Sequence, residues 1–292
     1  MVKVEEKPSG FLGFFQKSRQ KIHKNQMIKE RGFTVEPSNS EKNIVTVESL
    51  LESINKENQL EIEDKLGVTA LIASAGSGKT TLLRQLTRQT LVKNAITKEN
   101  DFAAAEKRRL RMVNYIELKN VPNKESISVP EFLFGGTFKN DEDREDVYEW
   151  LLNNQSEVVL FFDGLDQANF KIGEEKDIDM EPHGKASSAT LMYNLLARKL
   201  LPHVQIVITS REFSISALQA DARPRNIVQL TGFSQQDAKK LFLSLMGDKG
   251  DEAWRKLCTS SRGLLHFISI PALLVLTAIV MSRDSTTVHL LR

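Results

Sequence analysis

Nine consecutive residues have the types and the order that a phosphate-binding turn requires. They are small, polar or basic: Ala73, Ser74, Ala75, Gly76, Ser77, Gly78, Lys79, Thr80 and Thr81. Gly76 and Gly78 permit a tight turn whose N–H groups can surround an anion. Lys79 is placed to bridge the outer phosphates and Thr80 to hold Mg²⁺ through its hydroxyl. Only the first position departs from the phosphate-loop pattern, because Ala73 replaces glycine, so the run predicts a nucleotide site.

Two carboxylates follow a second apolar run, residues 158–162. Asp163 comes directly after the run and Asp166 three residues later. A buried parallel strand would bring Asp163 to the carboxyl edge of a sheet, where it can orient the water shell of Mg²⁺ near Thr80. We expect Asp166 to reach the same metal or an attacking water. The alternative interpretation is a strand followed by an ordinary turn.

A third apolar run, residues 204–208, ends in Thr209, Ser210 and Arg211. If this run is a neighbouring strand, its end lies beside the phosphates. Arg211 could then sense the terminal phosphate through charge-assisted hydrogen bonds. The alternative is that Arg211 only caps a strand at the surface.

Short apolar runs alternate with helical patterns from residue 68 onward, which is typical of a parallel sheet covered by helices. The predicted strands are residues 68–73, 112–118, 158–162, 205–209 and 227–230. The predicted helices between them are residues 80–92, 142–153 and 186–200. We therefore predict an α/β fold, a three-layer sandwich of the P-loop NTPase type with a five-stranded parallel sheet.

Helical patterns alone follow residue 231. Ser234 is a plausible N-cap for a helix through Leu245, and further helical stretches begin near residues 252 and 263. We therefore divide the chain into a basic appendage and linker (1–43), a nucleotide-binding domain (44–231) and a small helical subdomain (232–292). For the basic appendage we favour a solvated helix, and for residues 171–185 a mobile surface loop.

Charge and cysteine content restrict the partners. Forty basic and 38 acidic residues give a formal charge of +2, so we expect no nucleic-acid partner. A single cysteine, Cys258, excludes an internal disulfide framework, and we interpret the location as cytoplasmic. The apolar segment 264–281 is interrupted by polar residues and proline, which favours a buried helix pair over a membrane span.

Five motifs occur in a fixed order: ASAGSGKTTLL, VVLFFDGLDQ, QIVITSRE, IVQLTGFSQQDAKKLF and SIPALLVLT. Together, over residues 68–281, they resemble the NACHT domain of NOD-like receptors and related signal-transducing ATPases. The resemblance implies ATP or ADP with Mg²⁺ between the sheet and the helical subdomain, with Pro271 packing near the adenine.

Gln167 stands where the family usually has an acidic residue, which implies slow hydrolysis. The family continues into a winged-helix domain that does not fit after Arg292, so the chain resembles a truncated receptor, a fragment or a small regulator.

The function expected from these features is an ATP/ADP-dependent switch in innate-immune or cell-death signalling that controls self-association or binds other signalling proteins. One alternative is a conventional P-loop enzyme; ATP is favoured over GTP because the stretches 55–58 and 123–126 lack the aspartate that usually reads guanine. A second alternative is a static module that holds nucleotide without turnover.

Overall fold

The computed structural model describes residues 20–24, 43–45, 68–96, 110–173, 180–260 and 267–283. The strands are β1 (Gln20–Lys24), β2 (Asn43–Val45), β3 (Val68–Ile72), β4 (Met112–Glu117), β5 (Ile127–Ser128), β6 (Val158–Asp163), β7 (Lys185–Ala186), β8 (Gln205–Ser210) and β9 (Asn226–Leu230). The helices are α1 (Lys79–Ile96), α2 (Val129–Phe134), α3 (Asp141–Asn153), α4 (Ser188–Leu196), α5 (Glu212–Ser216), α6 (Gln235–Met246), α7 (Gly250–Ser260) and α8 (Pro271–Arg283).

Five parallel strands form the centre of the main sheet, in the order β9-β3-β8-β6-β4. All five correspond to strands expected from the sequence, so the predicted parallel sheet is confirmed. Parallel strands covered on both faces are buried throughout, which explains why β3 and β8 consist of buried residues from end to end. The carboxyl ends of β3, β6 and β8 lie side by side, and the three predicted motifs follow these ends.

Two antiparallel strands extend one edge of the sheet. Strand β1 pairs with β9 and with β2, giving a seven-stranded sheet. The helix favoured for the basic N-terminal appendage is therefore wrong over residues 20–24. The division of the chain at residues 43 and 231 stays a prediction.

Helices cover the two faces of the sheet, as a three-layer sandwich requires. On β6, Leu160 and Phe162 join the core cluster under α2, α3 and α4, whereas Val159 and Phe161 join the cluster under α1. This alternation follows from the two-residue period of a strand. Burying a side chain such as Phe161 contributes roughly 1.5–3 kcal/mol to stability.

The helical subdomain has its own apolar core. Helices α6, α7 and α8 bury one cluster, in which the rings of Phe242 and Trp254 lie 5.4 Å apart. Ser234 caps α6 as predicted, because its hydroxyl accepts a hydrogen bond from the N–H of Asp237. The helix expected from residue 263 begins outside the described residues. Within the described ranges, every helix is too short or too polar to cross a membrane.

One predicted helix, residues 186–200, is shorter than expected. Lys185 and Ala186 form β7, which pairs with β5, and Ser187 then caps α4. In the expected surface loop 171–185, residues 174–179 lie outside the described residues. The part that follows is anchored, because the hydroxyl of Tyr148 donates a 2.7 Å hydrogen bond to the carbonyl of Pro182.

Candidate functional site

A tight turn connects β3 to α1. Gly76 and Gly78 have φ angles of +74° and +90°, a conformation that residues with a Cβ adopt only at a cost. The hydroxyls of Ser74 and Ser77 lie 2.7 Å apart within the turn, and the carbonyl of Gly78 accepts a hydrogen bond from the N–H of Leu82, in the first turn of α1. The positive end of the α1 dipole therefore faces the turn, which suits an anion.

Lys79 lies folded back under this turn. Its ammonium group donates 2.9 Å hydrogen bonds to the carbonyls of Ala73 and Ser74, and the residue is only 8% exposed. Burial lowers the pKa of Lys79 below the ordinary lysine value. The negative charge of Asp166 raises this pKa, and the positive charge of Arg211 lowers it further. The site therefore holds a partly desolvated cation, which is the electrostatic condition for binding phosphate.

A cavity of about 300 Å³ opens beside the turn. Its lining combines the phosphate loop with residues that follow β6 and β8 and with the first residues of α8: Ala75, Gly76, Gly78, Lys79, Thr80, Thr81, Asp166, Gln167, Arg211, Pro271 and Ala272. The tertiary structure thus brings together most of the residues singled out in the sequence, including Pro271 from the helical subdomain. Ala73, Ser74, Ser77 and Asp163 do not line this cavity.

Asp166 and Arg211 form an ion pair at the cavity wall. The Nε atom of Arg211 lies 2.9 Å from Oδ2 of Asp166, whose side chain is 2% exposed, whereas that of Arg211 is 47% exposed. The other oxygen of Asp166, Oδ1, is buried and has no hydrogen-bond partner among the described residues. An acceptor left in this state is costly, so it marks a place where a ligand, water or metal can be bound.

Asp163 lies deeper, at the carboxyl end of β6. Its Oδ1 accepts a 2.6 Å hydrogen bond from the hydroxyl of Thr209, and its Oδ2 accepts one of 2.9 Å from the hydroxyl of Tyr115. The N–H of Gly164, at a φ of +79°, donates to Thr209 in turn. The metal-binding role expected for Asp163 and Thr80 stays a prediction, and the structure shows that two protein hydroxyls already orient the carboxylate.

Sequence reasoning missed Tyr115 and Ala272 as part of the site. Tyr115 stands in a strand that mixes apolar and polar residues, and the β4–β6 pairing that places it near Asp163 is not visible from spacing. Ala272 contributes a main-chain group, which leaves no signature in residue type. The adjacent Pro271 was the signal that associated this helical segment with the nucleotide site.

The helical subdomain contacts the phosphate loop directly. The N–H of Ala272 donates a 3.2 Å hydrogen bond to the carbonyl of Gly76. The segment before α8 is joined to the end of the sheet as well, because the N–H of Phe233 donates a 2.8 Å hydrogen bond to the carbonyl of Ser269. Gly232 permits this contact: a Cβ there would lie 2.4 Å from the Ser269 oxygen.

The residues present fit a nucleoside phosphate with Mg²⁺. The glycine turn, the N-terminus of α1 and Lys79 would hold the phosphates, and the buried Oδ1 of Asp166 provides an acceptor that lacks a protein partner. Thr80, which carries the hydroxyl expected to hold Mg²⁺, lines the same cavity. Bound Mg²⁺ would neutralise phosphate charge.

Comparisons with known proteins identify relatives of this chain. A NACHT domain family model matches residues 68–249. Protein NLRC5 of Ictalurus punctatus is 27% identical over 214 residues, covering 70% of this chain and 12% of that protein. Protein NLRC5 of Homo sapiens is 30% identical over 207 residues, covering 70% of this chain and 10% of that protein.

A third relative is the Nucleotide-binding oligomerization domain-containing protein 2 of Homo sapiens, which is 29% identical over 175 residues, covering 60% of this chain and 16% of that protein. The chain thus spans under a fifth of the length of these relatives. A solved structure of Thermotoga maritima RuvB aligns with 80% of this chain and 58% of its own, at 13% identity and a TM-score of 0.41, which is too distant to bear on function.

Proposed function

Since the chain belongs to the NACHT domain family, we propose that it is a switch that binds ATP or ADP with Mg²⁺ and converts the bound state into a rearrangement of its helical subdomain. The observation that carries this proposal is the hydrogen bond between Ala272 and Gly76, because it joins the phosphate loop to a second folding unit. A ligand that reshapes the loop must then change this contact.

The charges of the cavity support recognition of a terminal phosphate. Lys79 and Arg211 both line the cavity, and Arg211 is held by Asp166 through an ion pair. A terminal phosphate would compete with Asp166 for the guanidinium, because both are anions that accept from the same donors. With ATP bound, Arg211 would leave Asp166 for the terminal phosphate, whereas with ADP bound the ion pair would remain. A switch requires such a difference in interaction between its two ligands.

Slow hydrolysis is part of the proposal. Gln167 lines the cavity one residue after Asp166, and an amide is a far weaker base than a carboxylate. Asp166 would then be the group nearest to an attacking water, with Asp163 and Thr80 on the metal side. A long-lived ATP state suits a signal better than rapid turnover does.

The readout that we propose is self-association or binding of another signalling protein in the cytoplasm. The name of one relative joins nucleotide binding to oligomerization, and the resemblance to NOD-like receptors favours an innate-immune or cell-death pathway. The second candidate is a module that holds one nucleotide permanently. Gln167 favours this candidate, because a site that does not hydrolyse ATP also suits a static cofactor.

The first test is calorimetric titration of the purified chain with ATP and with ADP in Mg²⁺, together with a phosphate-release assay. We expect binding of both nucleotides with little release. Lys79→Ala should abolish binding, whereas Lys139→Ala, an exposed lysine that does not line the cavity, should bind like the wild type. Retained binding in Lys79→Ala would exclude this site.

The second test separates the switch from the static module. Light scattering after gel filtration should give different masses, or different affinities for a partner, with ATP and with ADP. Identical association in both nucleotides would favour the static module, and fast phosphate release would favour a conventional ATPase.

A further inference from the structure

Tyr115 lies at the centre of a hydrogen-bond network that connects α1 to the end of β6. Its hydroxyl donates a 2.9 Å hydrogen bond to Oδ2 of Asp163 and accepts one of 3.3 Å from Nε of Arg84. Arg84 also donates a 2.5 Å hydrogen bond to Glu117, and its guanidinium carbon lies 5.8 Å from the centre of the Tyr115 ring. One phenol therefore connects a helix and two strands.

The direction of these hydrogen bonds is determined by their chemistry. Arginine has only donors, so the oxygen of Tyr115 must accept from Arg84. The phenol proton is then directed to the carboxylate of Asp163. Burial raises the pKa of Tyr115 to about 12, so the hydroxyl keeps its proton at neutral pH.

The network also connects Asp163 to the helix that begins at the phosphate loop. Thr80 and Arg84 are four residues apart on α1 and therefore lie on the same face, one turn from each other. In the pairing of β4 with β6, Glu117 lies opposite Asp163 and Tyr115 opposite Phe161. The Arg84 contacts to Tyr115 and Glu117 thus bring the Thr80 face of α1 against the strands that place Asp163.

We propose that Tyr115 is a positioning residue for Asp163, holding its carboxylate in a fixed orientation for the hydrated Mg²⁺ that a bound nucleotide would bring. The inference rests on the proposed function, since it assigns a residue to the metal side of that site. Thr209 holds the other oxygen of Asp163 at 2.6 Å, so the carboxylate is oriented from both sides before any metal binds. Partners of this kind commonly change metal affinity by about 10–100-fold when removed.

The test is Tyr115→Phe, which removes only the hydroxyl and keeps the ring in the apolar cluster under α1. ATP affinity is measured by calorimetry with excess Mg²⁺ and again with EDTA. We expect the gain in affinity from Mg²⁺ to fall about tenfold, with ATP affinity in EDTA unchanged. Arg84→Met should give a smaller loss in the same direction.

Tyr193→Phe is the matched control, because its hydroxyl also bonds to an aspartate, Asp221, but its ring belongs to the core cluster on the face of the sheet opposite α1. This variant should keep the full Mg²⁺ effect. Equal losses with Mg²⁺ and in EDTA would show a general structural role and overturn the inference, as would an unchanged Mg²⁺ effect in Tyr115→Phe. If the wild type binds no ATP with Mg²⁺ or in EDTA, the proposed function itself fails. This outcome differs from a wild type that binds ATP and a Tyr115→Phe variant that behaves like it, which overturns only the inference about Tyr115.

Discussion

The N–H of Ala272 donates a 3.2 Å hydrogen bond to the carbonyl of Gly76, so the phosphate loop and the first turn of α8 are in direct contact. A Cβ at residue 76 would lie 3.1 Å from Cβ of Ala272 and 3.3 Å from Cγ2 of Ile270. A methyl group added to the loop at this point would therefore push against the helical subdomain, whose side chains would have to shift by a few tenths of an ångström.

Gly76→Ala should lower both stability and nucleotide affinity. The left-handed conformation costs about 1–2 kcal/mol for an L-residue, and the added methyl pushes against Ala272. Chemical denaturation and calorimetry with ATP check the two effects. Gly136→Ala is the control, because a Cβ there meets nothing within 4 Å, and it should leave ATP affinity unchanged. An ATP affinity for Gly76→Ala equal to that of the wild type would contradict the close contact.

Gly232→Ala should be more damaging than Gly247→Ala. Both glycines have positive φ angles, +78° and +59°, but a Cβ at residue 232 would lie 2.4 Å from the Ser269 carbonyl, whereas one at residue 247 meets nothing within 4 Å. We expect about 1–3 kcal/mol of lost stability for Gly247→Ala from its backbone conformation alone, φ +59° with ψ −136°. The steric conflict should add roughly 1–3 kcal/mol for Gly232→Ala.

Urea denaturation of the two glycine variants measures this difference directly. If both variants lose the same stability, then the junction between β9 and the segment before α8 can open without cost. The predicted coupling of the sheet to the helical subdomain would then be too weak to transmit a switch.

ATP affinity should fall as the pH rises through the lowered pKa of free Lys79. Burial disfavours the charged form of this lysine in the free protein, whereas bound phosphate favours it and raises its pKa. Binding therefore takes up a proton in the window between the two pKa values, which begins below the ordinary lysine range. In the free protein, stability should rise with pH between the lowered pKa of Lys79 and the ordinary lysine value, because the unfolded chain binds more protons there.

Calorimetry from about pH 7 to about pH 10 checks this linkage. The terminal phosphate has a pKa of about 6 and is already deprotonated over most of this range, so it adds little to the proton uptake. Repeating the titration in two buffers of different ionisation enthalpy counts the protons taken up. An affinity that stays constant over this range, without proton uptake, would show that protonation of Lys79 is not coupled to nucleotide binding.

Arg211→Ala should destabilise the free protein by about 1–3 kcal/mol, because it leaves the buried carboxylate of Asp166 without its partner. Asp166→Asn in the same chain should recover part of this loss by removing the unpaired charge. Denaturation of the single and double variants forms a double-mutant cycle. Additive losses would mean that the ion pair contributes nothing, and the proposed exchange of Arg211 between Asp166 and phosphate would lose its basis.

Much of the sheet and of the phosphate loop could be predicted from local patterns. An apolar run followed by small residues and Lys79 indicates a strand, a turn and a helix, because each step depends on neighbours in sequence. Strand β1 was missed for the opposite reason. Four of its five residues are polar or basic, and it becomes a strand by pairing with β2 and with β9, the latter more than 200 residues away.

The same contrast separates the residues of the site. Asp163 and Asp166 stand in one motif, yet Asp166 lines the cavity with Arg211, while Asp163 is held by Tyr115 and Thr209 below it. The residue types predict a carboxylate at the end of a strand but not the direction in which its oxygens point. That direction depends on which hydroxyls the neighbouring strands present.

The amino-acid sequence by itself determined the chemical identity of the site, because a phosphate loop depends on glycines, a lysine and a hydroxyl at fixed spacing. It also determined the parallel sheet, because apolar runs of strand length have few other solutions. Only the tertiary structure decided that Ala272 bonds to Gly76 and that Tyr115 holds Asp163. These contacts join segments distant in the chain, and their geometry depends on packing across the whole fold, which no local pattern of residues encodes.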